Sequence, residues 1–179
     1  MKKYELTEET VTVYGKTLYR IRAVRDFGSV KTGEFGGYIE KKENLSHFGN
    51  AWVYGNARVS GDARVFDNAW VYGNAKVYGD ARVSGNAWVY GNAWVYGNAE
   101  VFNTRHFFVQ GPIGSRDGYV TFYRTKDDTV EVRCGCFSGS LQEFVNQVEE
   151  THGGSRYEKE YKLAAELAKV CIRLEGESR

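Results

Sequence analysis

GNAWVYGNARVSGDARVF (49–66), DNAWVYGNAKVYGDARVS (67–84) and GNAWVYGNAWVYGNAEVF (85–102) follow one another without a gap, three blocks of eighteen residues, each made of three hexads. Ala holds the third place of every hexad, from Ala51 to Ala99, and Val the fifth, from Val53 to Val101. A fixed short period means that a unit cannot bury its own apolar side and must stack on its neighbours. Gly followed by Asn or Asp, or Asp67-Asn68 in its place, suits a corner, because these residues accept positive φ. A four-residue strand such as Ala51–Tyr54 follows, and strand alternation turns Ala and Val inward and Trp and Tyr outward. A strict six-residue period does not match the i, i+3, i+4, i+7 pattern of an amphipathic helix. Three strands close one triangular coil, which brings every eighteenth side chain into vertical register. Trp52, Trp70 and Trp88 with Tyr54, Tyr72 and Tyr90 are then expected as aromatic ladders on one face. A second face carries Arg58, Lys76 and Trp94 beside Ser60, Tyr78 and Tyr96, and a third carries Arg64, Arg82 and Glu100.

The pattern of an aliphatic residue followed four places on by a small one, Val53 then Ala57, resembles that of left-handed parallel β-helix, hexapeptide-repeat proteins. Handedness is what this resemblance implies. The segment GGYIEKKENLSHFGNAWVYGNA (36–57) is similar to the lead-in of hexapeptide-repeat proteins of bacteria and their phages. The composition of residues 103–179 resembles C-terminal modules of phage-encoded members. Acyltransferases on this fold place a catalytic His on or near a loop that protrudes from the coils. No loop interrupts 49–102, and His47, His106 and His152 all lie outside it. A carbonic-anhydrase-like zinc site needs three His from the coils, which supply none.

The flanks complete a mainly β fold: a triangular parallel β-helix with an N-terminal hairpin and a small C-terminal α+β module of ββαα order. Residues 1–48 read as a hairpin around Gly15-Lys16 and an irregular first coil, with Ile39 and Leu45 in the small inward position. Residues 49–102 are the three regular coils. Residues 103–179 contain strands over 119–124 and 129–137, a helix capped by Ser138 or Ser140, a stop at Gly153-Gly154, and a second helix with Tyr157, Tyr161, Ala164, Ala168 and Cys171 along one stripe.

Lys plus Arg number 24 and Asp plus Glu 23, a net charge of +1. No basic stripe marks a duplex nucleic-acid binder. No stretch approaches eighteen apolar residues and MKKYELTEET is polar after Met1, so neither a membrane span nor a secretion signal is expected. Three Cys make no disulfide framework, and a reduced, cytoplasmic protein is the simple reading, in the host cytoplasm if phage-encoded. Cys134 and Cys136 lack C-x-x-C spacing, and no metal or other cofactor is expected.

Two groups of residues are candidate sites. Gly114, Ser115 and Arg116 form a Gly-rich segment with an arginine fork, and Arg124 and Arg133 on the adjoining strands could face the same anion. The plain alternative is a boundary loop with surface arginines. The second group is Trp52, Tyr54, Trp70, Tyr72, Trp88, Tyr90 and Trp94, too large an aromatic surface to stand bare. Subunit packing into a homo-oligomer, with a trimer favoured, covers it; so does stacking of bases or sugars, or covering by the C-terminal helices. Together these favour a non-enzymatic homo-oligomer that captures a small anionic, nucleotide-type ligand, and the phage resemblance gives this the form of a protein that sequesters a host immune nucleotide signal. A structural adaptor that docks a protein partner and a hexapeptide acyltransferase are the alternatives.

Overall fold

The computed structural model describes residues 2–175. Strands β1 (Tyr4–Val13) and β2 (Lys16–Ala23) form the expected hairpin, and β3 (Phe35–Ile39) returns antiparallel to β2. Nine short strands follow from the repeat: β4 (Trp52–Val53), β5 (Arg58–Val59), β6 (Arg64–Val65), β7 (Trp70–Val71), β8 (Lys76–Val77), β9 (Arg82–Val83), β10 (Trp88–Val89), β11 (Trp94–Val95) and β12 (Glu100–Val101). Regular pairing covers two residues on each side of the triangle, because the corners take the rest.

The register is that of an eighteen-residue coil. Trp52 pairs with Trp70 and Trp70 with Trp88; Arg58, Lys76 and Trp94 align on the second face; Arg64, Arg82 and Glu100 align on the third. All pairs are parallel, so the repeat is a parallel β-helix. Every Ala and Val of the hexads is at most 1% exposed, and each buried Val contributes roughly 1.5–3 kcal/mol. Corner geometry requires the glycines: Gly79 has φ of 73°, and a Cβ there would come within 2.9 Å of the Gly97 nitrogen in the coil below. Asp67 takes the same left-handed conformation, φ 58°, and its carboxylate accepts the Gly85 N–H at 3.2 Å.

The lead-in coil differs from the expected register. Ile39 pairs with Val59, and Leu45 bridges to Val65, so both occupy the Val column and not the small Ala column. The first coil is therefore longer than a regular one. Its Gly36 and Gly37 lie so close to Ile21, Val53 and the Ala57 carbonyl that a Cβ on either would overlap them.

Both ends of the column are closed by specific donors and acceptors. At the N-terminal end the Lys3 ammonium donates to the carbonyls of Ala51 (2.7 Å) and Gly49 (3.5 Å), and the Asn44 amide donates to those of Ala63 (2.8 Å) and Gly61 (3.0 Å). Lys3 and Asn44 are fully buried. Burial, helped by Arg25, lowers the Lys3 ammonium to about 8. His47 lies under the N-terminal strand. It stacks on Tyr4 at 4.3 Å, and its Nδ1 accepts the Lys3 N–H at 3.2 Å.

The C-terminal end is closed by a four-stranded antiparallel sheet of β13 (Phe107–Ile113), β14 (Gly118–Arg124), β15 (Val130–Cys134) and β16 (Phe137–Ser140), followed by α1 (Leu141–His152) and α2 (Arg156–Cys171). The two expected strands are thus flanked by two more. Ser140 caps α1 in a reciprocal box with Glu143, and Ser155 caps α2. The sheet has two apolar faces. Phe107 and Tyr123 join the core of the coils, whereas Val120, Phe122 and Val132 pack on Phe144, Val148, Ala164, Ala165 and Ala168 of the helices. The sheet therefore lies between the column and the helices. Thr121 Oγ1 accepts the Trp94 N–H at 2.9 Å, and His106 Nδ1 accepts the Phe102 N–H at 3.4 Å.

Two outcomes follow from the end caps. Asn44→Ala leaves two buried carbonyls without their donor and should lower unfolding free energy by about 1–3 kcal/mol, read by denaturant titration. His106 serves as acceptor in its neutral form, and burial, then Arg124, depresses it to about 4, from roughly 6.5 when unfolded. The unfolded chain then takes up the proton first, so the stabilisation is fully present above pH ~6.5 and is lost as pH falls toward 4. Thermal melts between pH 7.5 and 5 should show this fall, with a shallower slope in His106→Gln.

Candidate functional site

A cleft of about 830 Å³ opens where the second face of the column meets the capping module. The register of the coils places Lys76 and Trp94 one above the other on its column side, and the Lys76 ammonium sits over the Trp94 ring at 4.0 Å. Across from them strand β15 contributes Arg133, and the turn between β13 and β14 contributes Ser115 and Arg116. The Arg133 guanidinium lies 5.7 Å from the centre of the Trp94 ring and 5.8 Å from that of Tyr96. Tyr119 and Phe137 extend the aromatic lining, and Asn74 and Asn92, two rungs of a corner amide ladder with a 3.2 Å hydrogen bond, stand at its edge.

The electrostatics are one-sided. Among the described residues no Asp or Glu lines the cleft, and Lys76, Arg116 and Arg133 make no ion pair. Burial, and next to it Arg58, lowers the Lys76 pKa. The Nε of Arg133 is buried without a partner. Cations with unspent hydrogen bonds beside aromatic rings can hold an anion that carries a planar group.

The far wall holds Cys134, His152 and Tyr161. Burial raises the Cys134 thiol, and burial, then Cys134, pushes the Tyr161 phenol up to about 12. His152 lies against the Tyr157 and Tyr161 rings, at 5.9 and 5.6 Å between centroids. Cys134 is thus held as the thiol, whereas the nucleophilic form of cysteine is the thiolate. Among the described residues no three His, Cys, Asp or Glu side chains gather as metal ligands.

The expected anion set divides. Ser115, Arg116 and Arg133 come together in the cleft. Arg124 does not: it is 3% exposed and spends its guanidinium on Asp128 (2.7 Å), Glu175 (3.0 Å) and Glu100 (3.4 Å). It is a structural cation that ties the capping module to the last coil. Gly114 is also spent elsewhere, since its N–H donates to Glu160 at 2.7 Å and a Cβ on it would collide with the Tyr161 hydroxyl. Missed from sequence was Lys76, whose place opposite Arg133 depends on how the module docks.

The aromatic set divides as well. Trp52 is fully buried under Tyr4 and Phe27, with ring separations of 6.4 and 5.2 Å, so it belongs to the core and not to a surface. Trp70 is half-buried against that core. Tyr72 stacks on Tyr90 at 5.6 Å and meets Trp88 edge-on, while Tyr90 touches Phe107 of the cap. Tyr54 and Trp88 remain about half exposed, at 50% and 52%. Trp94 stands apart from this face, in the cleft.

Comparison with known proteins gives the fold the same reading. The YdcK Beta solenoid repeat family matches over residues 51–65, 57–73 and 75–91. A protein of Escherichia coli (strain K12) named "Uncharacterized acetyltransferase YdcK" is 34% identical over 80 aligned residues, covering 36% of this chain and 24% of that protein. The chain thus spans about a quarter of the relative's length. No helix among the described residues is long and apolar enough to cross a membrane.

Arg124→Met should cost about 1–3 kcal/mol of stability, because it removes the charge-assisted hydrogen bonds to three partly exposed carboxylates, while leaving any anion binding by the cleft unchanged. Denaturant titration read beside binding isotherms separates the two effects.

Proposed function

We propose that the cleft captures a small anionic ligand that carries a planar ring, with nucleotides the class that fits it, and that it does so without chemistry. The observation that carries this reading is that Lys76 and Arg133 meet at the Trp94 ring and Arg116 lines the same cleft, none of them ion-paired and no carboxylate lining it among the described residues. The arginine forks hold phosphate oxygens and the aromatic lining accepts a base. Self-association belongs to the same proposal: the half-exposed Tyr54 and Trp88 favour a homo-oligomer, whose number native mass spectrometry reads directly.

A second reading is acyl transfer, favoured by the name of the relative with the matching coils. An acyl-coenzyme A is itself a nucleotide, so the same cations would hold it.

Titration of the chain with AMP, ATP and acetyl-CoA, followed by Trp fluorescence and calorimetry, tests both. Saturable binding that weakens about tenfold or more in Arg116→Ala and in Arg133→Ala supports the capture reading. Absence of binding, or binding that both variants leave intact, overturns it. Release of free coenzyme A from acetyl-CoA moves the assignment to acyl transfer.

A further inference from the structure

A second cleft, of about 350 Å³, lies on the same face of the column, between the coils and the tip of the β1–β2 hairpin. Tyr14, Arg58, Tyr78 and Tyr96 line it, and so does Lys76, which also lines the larger cleft. The two clefts are neighbours across a ridge made by Lys76 and Arg133. Lys76 covers Trp94 on one side; Arg133 reaches both Trp94 on that side and Tyr96 on the other, and it lies beside the Tyr78 hydroxyl. Tyr78 and Tyr96 form an aromatic pair in the second cleft, with centroids 4.7 Å apart. Arg58 aligns with Lys76 in the next coil up. It makes no ion pair among the described residues, and its Nε is buried without a partner. Among the described residues the carboxylates that line this cleft are Asp62, paired with Lys41 at 2.6 Å, and Asp80 at the corner, and Glu40 beside them is paired with Lys16 at 2.9 Å.

The arrangement is an aromatic cradle on each side of a cationic ridge. Two coil steps separate Arg58 from Trp94, about 10 Å. A ligand confined to the larger cleft leaves Arg58 and the tyrosine pair untouched. We propose that the two clefts form one bipartite site for a ligand with two nucleoside-type ring systems joined through phosphate, the linkage resting on Lys76 and Arg133 and a ring lying in each cradle. This rests on the nucleotide reading of the larger cleft and names its ligand class. The linkage is either a phosphodiester or a pyrophosphate, and the probes separate them.

Calorimetry with AMP, the linear dinucleotide pApA and NAD tests it on the full chain. At least one two-ring probe should bind about tenfold or more tightly than AMP, the gain expected of one additional stacked base. Preference for pApA assigns the phosphodiester and preference for NAD the pyrophosphate. Arg58→Ala should bring the favoured probe down to the AMP level and leave AMP itself unchanged, with Arg58→Lys in between. A melting temperature equal to that of the parent chain establishes that the variant is folded. AMP binding with no gain for either two-ring probe, or a gain that Arg58→Ala leaves intact, overturns the bipartite site alone. Failure of all three probes to bind overturns the nucleotide reading and this inference with it.

Discussion

Each coil of a β-helix passes its backbone donors and acceptors to the coils above and below, and an end coil has a coil on one side only. An unpaired buried backbone group costs about 1–3 kcal/mol, and an open strand edge recruits other chains. The chain meets this constraint with different chemistry at its two ends. Above the first regular coil, Lys3 and Asn44 reach across to carbonyls that lack a partner, while Tyr38, Glu40 and Ser46 supply main-chain N–H groups to Ala57, Val59 and Val65. Below the last coil, a threonine hydroxyl and a neutral histidine accept N–H groups. The histidine at each end is held neutral chiefly by burial.

The way the lower end is closed also creates the site. A sheet with two apolar faces must be covered on both, so one side of β14 meets the column and the other meets α1 and α2. That leaves the β15–β16 turn and the ends of the helices beside the second face, where the repeat presents Lys76 and Trp94. On that face the outward positions change from Arg58 to Lys76 to Trp94 down the column, and this departure from strict repetition sets two cations above a ring. The first face is more nearly repetitive, and its top is absorbed into the core.

What could be read in advance follows the same division. Periodicity is local information, so the eighteen-residue coil, the inward Ala and Val, and the corner residues were legible from the hexads. So was the hairpin, from its alternation around Gly15. Burial of Trp52 was not, because Tyr4 and Phe27 that cover it stand far upstream and carry no periodic signal. Ile39 and Leu45 mislead because extrapolating the hexads backward assumes a coil of regular length, and the lead-in coil is longer. Arg124 and Arg133 look alike on adjacent strands; only docking reveals that one meets three carboxylates and the other meets rings. Gly114 reads as an open anion loop until Glu160, from a helix many residues later, takes its N–H. The second cleft was hidden for the same reason, since Tyr14 and Tyr78 meet only when the hairpin folds beside the coils.

Native-state amide hydrogen exchange tests the end-cap account most directly. The Trp94 and Phe102 amides belong to the last coil and are satisfied only by Thr121 and His106, whereas the Lys76 and Arg82 amides lie inside the stack. The account predicts protection at Trp94 and Phe102 within about tenfold of that at Lys76 and Arg82, as for one cooperative unit. Exchange at the last coil faster by several orders of magnitude, with the inner coils still protected, would contradict it.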